Sequence, residues 1–266
     1  MKLAFIGGGT MGEAIVAGAL ANNVAGPEEI AVCDVAPARR EHLAAAYGVA
    51  ATGSASEAAG GAEIVVLAVK PQEFEAAAGG LKGALKPGQT VMSIMAGVRI
   101  ETIEEVTGHA AIARTMPNTP ATIGEGMTVW TATAAVGESA RQSVRRLLSV
   151  LGDEVAVDDE KYLDMATAVS GSGPAYVFLF IEALVDAAVE IGLEREMAMR
   201  MVLQTVKGSA RYAEKSGADP AALREQVTSK GGTTEAALRE LEDAGVRAAF
   251  ARAVAAAHKR AKELGG

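Results

Sequence analysis

The sequence predicts an α/β protein in two parts, a doubly wound sheet followed by an all-helical C-terminal domain. Three observations carry that expectation. Short apolar runs alternate with helical patterns as far as Asp158, a glycine-rich turn follows the first of those runs, and beyond Asp158 the strand signals stop.

The elements justify themselves in order. "KLAFI" (residues 2–6) reads as a strand and residues 10–22 as a helix; "IAVCD" (30–34) is the next strand, with a helix over 37–47. "EIVVLAV" (63–69) is apolar throughout, as a strand covered on both faces of a parallel sheet must be. "TVMSIMA" (90–96), "AAIARTM" (110–116) and "MTVWTA" (127–132) continue the series, and a helix over 139–151 with a strand at "EVAV" (154–157) closes it. Residues 176–191, 195–215 and 246–264 then show helical periodicity, broken at Gly192, at "SGADP" and at Gly231-Gly232. These features place a domain boundary at Asp158, giving residues 1–158 and 159–266. Helices so rich in alanine and methionine suit packing against a second copy, so a homodimer or higher homo-oligomer through the C-terminal helices is expected.

Composition excludes several classes. The formal charge of −8 argues against a nucleic-acid partner. The apolar stretches, "IVVLAV" and "YVFLFIEALV" among them, fall short of a membrane span, and "MKLAFIGGG" does not read as a secretory signal; the expectation is a cytoplasmic protein without a membrane partner. A single cysteine, Cys33, excludes a disulfide framework and a thiolate metal cluster, and it reads as core packing. His42, His109 and His258 share no ligand spacing, so no metal site is expected.

"AFIGGGTMGEAI" contains Gly7-x-Gly9-x-x-Gly12 between a strand and a helix. In that context the motif is a Rossmann-like dinucleotide fingerprint: Gly7 permits the tight turn, Gly9 the close approach of a pyrophosphate, and Gly12 the packing of helix on sheet. The N–H groups of Thr10 and Met11 face the phosphates from a helix N-terminus. Asp34, at the end of the second strand, stands where an acid reads the ribose hydroxyls and favours NAD(H). Arg39 and Arg40 follow closely and are equally placed to receive a 2′-phosphate, so NADPH or NADH both remain open.

Near the C-terminus "SKGGTTEAALRELE" (229–242) puts two glycines and two threonines before a helix expected from Glu235. Gly231 and Gly232 carry no Cβ, so their N–H groups can turn inward, and Thr233 or Thr234 can cap a helix whose N-terminus attracts an anion.

With "AVKP" (68–71), "AG" (96–97), "RTMPNTP" (114–120), "VSGSGPAYVFLFIEALVDAAVEIGL" (169–193), "QTVKGSA" and "VTSKGGTTEAALRELE", nearly the whole chain resembles the pyrroline-5-carboxylate reductases. The resemblance implies hydride transfer from a reduced nicotinamide to the C=N carbon of a small cyclic imine, 1-pyrroline-5-carboxylate, giving L-proline as the last step of proline biosynthesis. It implies that the loop of Ser229, Gly231, Gly232, Thr233 and Thr234 binds the substrate carboxylate, with Thr234 on the imine nitrogen. It also implies that Glu160 and Gln226 lie near that pocket, Gln226 on the cofactor side, and that Ala68, Val69, Lys70, Pro71, Ala96, Gly97 and Asn118 border the cofactor. An active site shared between subunits follows from the same resemblance. Two departures stand out: Lys230 replaces the family's usual proline, and "SASE" (54–57) stands where some members place an asparagine on the cofactor.

A β-hydroxyacid dehydrogenase on the same architecture would need a lysine in the long helix, which "GPAYVFLFIEALVDAAVE" lacks. A reductase of other cyclic imines, and a nucleotide-binding sensor without turnover, are the remaining rivals.

Overall fold

The computed structural model describes residues 1–265. Two compact units emerge, one of residues 1–172 with the segment from Ala257 onward, the other of residues 173–256. The strand signals end near residue 158 as expected, but the compact division falls after Ser172 and returns the chain's last helical turns to the first unit.

The first unit is built on an eight-stranded sheet in the order β3-β2-β1-β4-β5-β6-β7-β8. Its elements run β1 (Leu3–Ile6), α1 (Thr10–Ala21), β2 (Ile30–Cys33), α2 (Pro37–Tyr47), β3 (Ala50–Thr52), α3 (Ala55–Ala59), β4 (Ile64–Leu67), α4 (Phe74–Ala78), β5 (Thr90–Ser93) and α5 (Ile100–Thr107). They continue with β6 (Ile112–Met116), β7 (Gly126–Ala132), α6 (Glu138–Leu148), β8 (Gly152–Ala156) and α7 (Lys161–Ala166), which leads into a π-helical turn at Thr167–Gly171. Pairing is parallel except between β6 and β7.

Every side chain of β1 and β4 is buried, and alternation sends them to opposite faces. Leu3, Phe5, Ile64 and Val66 join Ile15, Val16, Leu43 and Leu147 on one side; Ala4, Ile6, Val65 and Leu67 join Phe74, Leu81 and Ile103 on the other. Helices on both faces are what make continuous apolar strands stable. The chain reverses its direction of travel across the sheet at β1, so a crevice opens beyond the carboxyl ends of β1 and β4.

One buried polar cluster braces this edge. Arg114 on β6 is 2% exposed; its Nη1 donates to Glu160 Oε1 at 2.6 Å and its Nη2 stands 3.8 Å from Asp164 Oδ1. The same Glu160 oxygen accepts from the N–H of Ile100 at 2.8 Å, which satisfies the first turn of α5. Arg114→Leu removes the cation paired with Glu160 and one of the two that stand 3.8 Å from Asp164, 3% exposed, leaving Arg99 as the other. We expect a loss of about 3–5 kcal/mol of stability, read as a lower urea midpoint at unchanged slope.

The second unit consists of α8 (Gly173–Glu190), α9 (Arg195–Ser216), α10 (Pro220–Gln226), α11 (Thr233–Asp243) and the first part of α12 (Val246–Leu264). Its fully buried core is small: Val185, Ala198 and Val202, with Ile181, Ala188, Leu193 and Val206 partly covered. Phe178, Leu179 and Phe180 are 59%, 65% and 51% exposed, an apolar surface that asks for cover. The helical run from Lys161 to Glu190 spans 30 residues and includes an 18-residue window of mean hydropathy 1.5, long and apolar enough by length and composition alone to cross a membrane.

Candidate active site

The glycine turn lies at the carboxyl end of β1. Gly7 has a φ of +101°, and a Cβ there would sit 2.5 Å from the carbonyl oxygen of Ala68, so no other residue fits without displacing the β4 loop. A Cβ on Gly12 would meet the Gly7 carbonyl oxygen at 2.6 Å. Gly9 differs: nothing lies within 4 Å of where its Cβ would be. It is the N-cap of α1 and has no side chain with which to cap; the first helical bond is Glu13 N–H to Gly9 O at 2.8 Å. The N–H groups of Thr10, Met11 and Gly12 therefore have no partner inside the helix, and the first two belong to exposed Thr10 and half-buried Met11 beside the open space at Gly9. A pyrophosphate fits that cradle, and these residues are the ones that would hold it.

Around the cradle, the strand ends supply the rest. Asp34 follows β2, and its Oδ2 accepts from the N–H of Gly8 at 2.9 Å. Ala68, Val69 and exposed Lys70 follow β4, with Pro71 opening a single 3-10 turn. Ala96 and Gly97 follow β5, where Gly97 has a φ of +76°. The position of a Gly97 Cβ lies 3.1 Å from Leu264 Cβ, and Arg99 Nε donates to Gly265 O at 2.6 Å, so the chain's own C-terminal segment rests on this turn.

Asn118, expected to border the cofactor, also holds its own loop together. Its Nδ2 donates to Ser170 O at 3.1 Å and its Oδ1 accepts from Met127 N–H at 2.9 Å, so the amide ties the loop after β6 to β7 and the π-helical turn. Glu160, expected beside the substrate, engages Arg114 and the start of α5 through one oxygen.

Sequence reasoning missed Glu13. This carboxylate on α1 binds the Arg39 guanidinium, His42 Nε2 at 2.9 Å and the Tyr47 hydroxyl at 2.9 Å. Burial pushes its pKa up, but the hydrogen bonds from Arg39, His42 and Tyr47 outweigh that and hold it at about 2. A depressed carboxylate contributes stability that is complete above its unfolded pKa of 4.5 and lost as pH falls toward about 2. The stability difference between wild type and Glu13→Gln should therefore be largest at neutral pH and shrink below pH 4.5, in urea titrations run at both.

The second unit holds Gln226 at the end of α10 and the Ser229–Thr234 loop. Gly231 takes a φ of +74°. The helix starts two residues earlier than expected, at Thr233, with Gly232 as N-cap and no side-chain cap. Neither threonine caps it. The two glycine N–H groups also do not stand free: Gly231 N–H donates to Glu235 Oε2 at 2.8 Å and Gly232 N–H to Ser229 O at 3.0 Å. The first bond of α11 is Ala236 N–H to Gly232 O at 3.2 Å, which leaves the N–H groups of exposed Thr233, half-buried Thr234 and Glu235 without a helical partner. The unpaired donors at this loop are therefore those of the helix N-terminus rather than those of the glycines.

A doubly wound sheet with a glycine cradle at its switch point, an acid at the end of β2 and a separate helical unit define a dinucleotide-dependent oxidoreductase. Residues 160–264 match the family model for pyrroline-5-carboxylate reductase dimerisation, and residues 2–97 match that for NADP oxidoreductase, coenzyme F420-dependent. The chain is 43% identical to a pyrroline-5-carboxylate reductase of Synechocystis over 266 residues, covering 100% of this chain and 98% of the relative. It is 40% identical to that of Pseudomonas aeruginosa, covering 99% and 96%. The solved structure of a pyrroline-5-carboxylate reductase from Coxiella burnetii superposes with a TM-score of 0.93 at 37% identity, covering 100% of this chain and 98% of that one. The chain belongs to the pyrroline-5-carboxylate reductase family.

Proposed function

We propose that this protein is a pyrroline-5-carboxylate reductase, reducing the C=N bond of 1-pyrroline-5-carboxylate to L-proline with NADPH or NADH in the last step of proline biosynthesis. The observation that carries this reading is the pairing, in one chain, of the open cradle at Gly9 with the unpartnered helix N-terminus behind Gly231-Gly232.

When bound, the reduced nicotinamide supplies the hydride. The chain's residues do the rest. The N–H groups of Thr233 and Thr234 hold the substrate carboxylate, and the Thr234 hydroxyl meets the ring nitrogen. A protonated imine is already electrophilic, so Thr234 steadies that nitrogen as its charge disappears and no strong acid is required. This accounts for the lack of an acid–base dyad among the residues singled out. The β4 and β5 loops, with Lys70, Pro71, Ala96 and Gly97, border the nicotinamide in this reading, and Gln226 and Ser229 border the substrate loop.

Assembly belongs to the same reading. The dimerisation-family match covers α8 to α12, and the exposed Phe178, Leu179 and Phe180 supply the apolar surface for a homodimer or larger homo-oligomer. Fully burying one such side chain contributes about 1.5–3 kcal/mol. Phe178→Asp with Leu179→Asp should shift the protein to a smaller species in light scattering coupled to gel filtration.

The test is loss of reduced-nicotinamide absorbance with 1-pyrroline-5-carboxylate and each nucleotide in parallel. Rapid oxidation supports the assignment. Binding of nucleotide without oxidation overturns the substrate, and oxidation only with a six-membered cyclic imine reassigns it.

A further inference from the structure

We infer that this chain discriminates in favour of NADH over NADPH, and that Asp34 together with the Glu13–Arg39 pair sets the preference. The inference deepens the reading above and rests on its assignment of the first unit to a nicotinamide nucleotide.

In a doubly wound dinucleotide site the adenosine ribose lies beyond the end of the second strand. Asp34 stands there, half-buried, with both oxygens fixed by backbone: Oδ2 by Gly8 N–H at 2.9 Å and Oδ1 by Ala36 N–H at 2.9 Å. Each oxygen keeps a lone pair for a ribose hydroxyl. A 2′-phosphate brought to the same place meets a carboxylate that two N–H groups hold still.

Acceptance of that phosphate needs a cation close by, and the nearby arginines are committed elsewhere. Arg39 donates Nε to the Gly8 carbonyl and Nη2 to Glu13. Glu13 is braced in turn by His42 and Tyr47, so withdrawing Arg39 means dismantling a cluster that spans α1 and α2. Arg40 turns Nη1 onto the carbonyls of Asp34 at 2.7 Å and Val35 at 3.1 Å. The hydroxyls past β3 offer no relief either. Ser54 Oγ accepts from Glu57 N–H at 3.3 Å and Thr52 Oγ1 donates to the Glu57 carboxylate, which adds another acid to this corner. The "SASE" segment thus caps α3, and its serine works on its own helix.

Fluorescence titration of the intact protein with NADH and NADPH, without imine, tests this directly. Wild type should bind NADH tighter by about tenfold or more, the scale expected for one unit of repulsion at a partly screened site. Asp34→Asn should narrow or invert the ratio, chiefly by tightening NADPH. Glu13→Gln leaves Asp34 in place and removes the carboxylate that neutralises Arg39, whose Nε bond to the Gly8 carbonyl keeps it beside the site, so it should tighten NADPH several-fold with NADH little changed. Tighter NADPH binding by wild type, or a ratio that neither variant moves, overturns the inference. Normal nucleotide binding with no imine turnover would sink the substrate assignment and leave this preference standing; binding of neither nucleotide would sink both.

Discussion

Gly9→Val should leave the protein folded and strip it of nucleotide binding. The two halves of that result have separate causes. Nothing lies within 4 Å of a Cβ at Gly9, and its φ of −68° with ψ of −176° is a conformation that valine adopts readily, so the turn itself has no reason to change. The branched side chain fills the space beside the N–H groups of Thr10, Met11 and Gly12 and pushes the pyrophosphate out of hydrogen-bond reach. Hydrogen bonds to charged groups are worth about 1.5–3 kcal/mol each, and loss of two amounts to about 100-fold or more in affinity. Equilibrium titration with either reduced nucleotide reads the loss, and an unchanged thermal transition shows that folding is intact. Gly7→Val serves as the contrast: with φ at +101° and a carbonyl oxygen 2.5 Å from the new Cβ, it should unfold the turn as well.

Thr234→Ala should do the reverse. Nucleotide affinity stays near that of wild type, while turnover of 1-pyrroline-5-carboxylate falls by about 10- to 100-fold, the worth of one hydrogen bond to a charged nitrogen. The backbone N–H at position 234 survives the substitution, so the carboxylate seat at the start of α11 is retained and the loss should appear mainly in kcat. A Thr234→Ser variant keeps the hydroxyl and should recover most of the rate. Full activity in the alanine variant would remove Thr234 from the chemistry.

Much of the fold was legible because its signals are local. β1 and β4 are apolar over every residue since both faces are covered, and the Gly7–Gly12 turn declares its geometry in six residues. β3 carried no such signal: Ala50–Thr52 is three residues long and only half-covered, and alanine favours helix over strand. The five-residue helices α3 and α4 are too short to display a period. Alternation in "MTVWTA" reveals a strand but not its direction, so the antiparallel β7 was invisible.

The same division runs through the site. The Gly7–Gly12 turn between β1 and α1 was legible because motif and turn coincide. What escaped were pairings at long range: Arg39 with Glu13, 26 positions apart, and Arg114 with Glu160, 46 apart. Each consumes a group that looked free for a ligand. At the Gly231-Gly232 loop Glu235 reaches back to Gly231 and takes the N–H that was expected to serve a carboxylate ligand, a pairing four residues long that the sequence does not announce.

The three-residue core of the helical unit has a consequence for how the protein exists in solution. A unit that encloses only Val185, Ala198 and Val202 gains little by folding alone, so association between copies should supply much of its stability. Dilution should then act as a denaturant. Below the concentration at which copies find one another, the helices of residues 173–256 should loosen first, while the sheet, with its two complete cores, keeps its own stability.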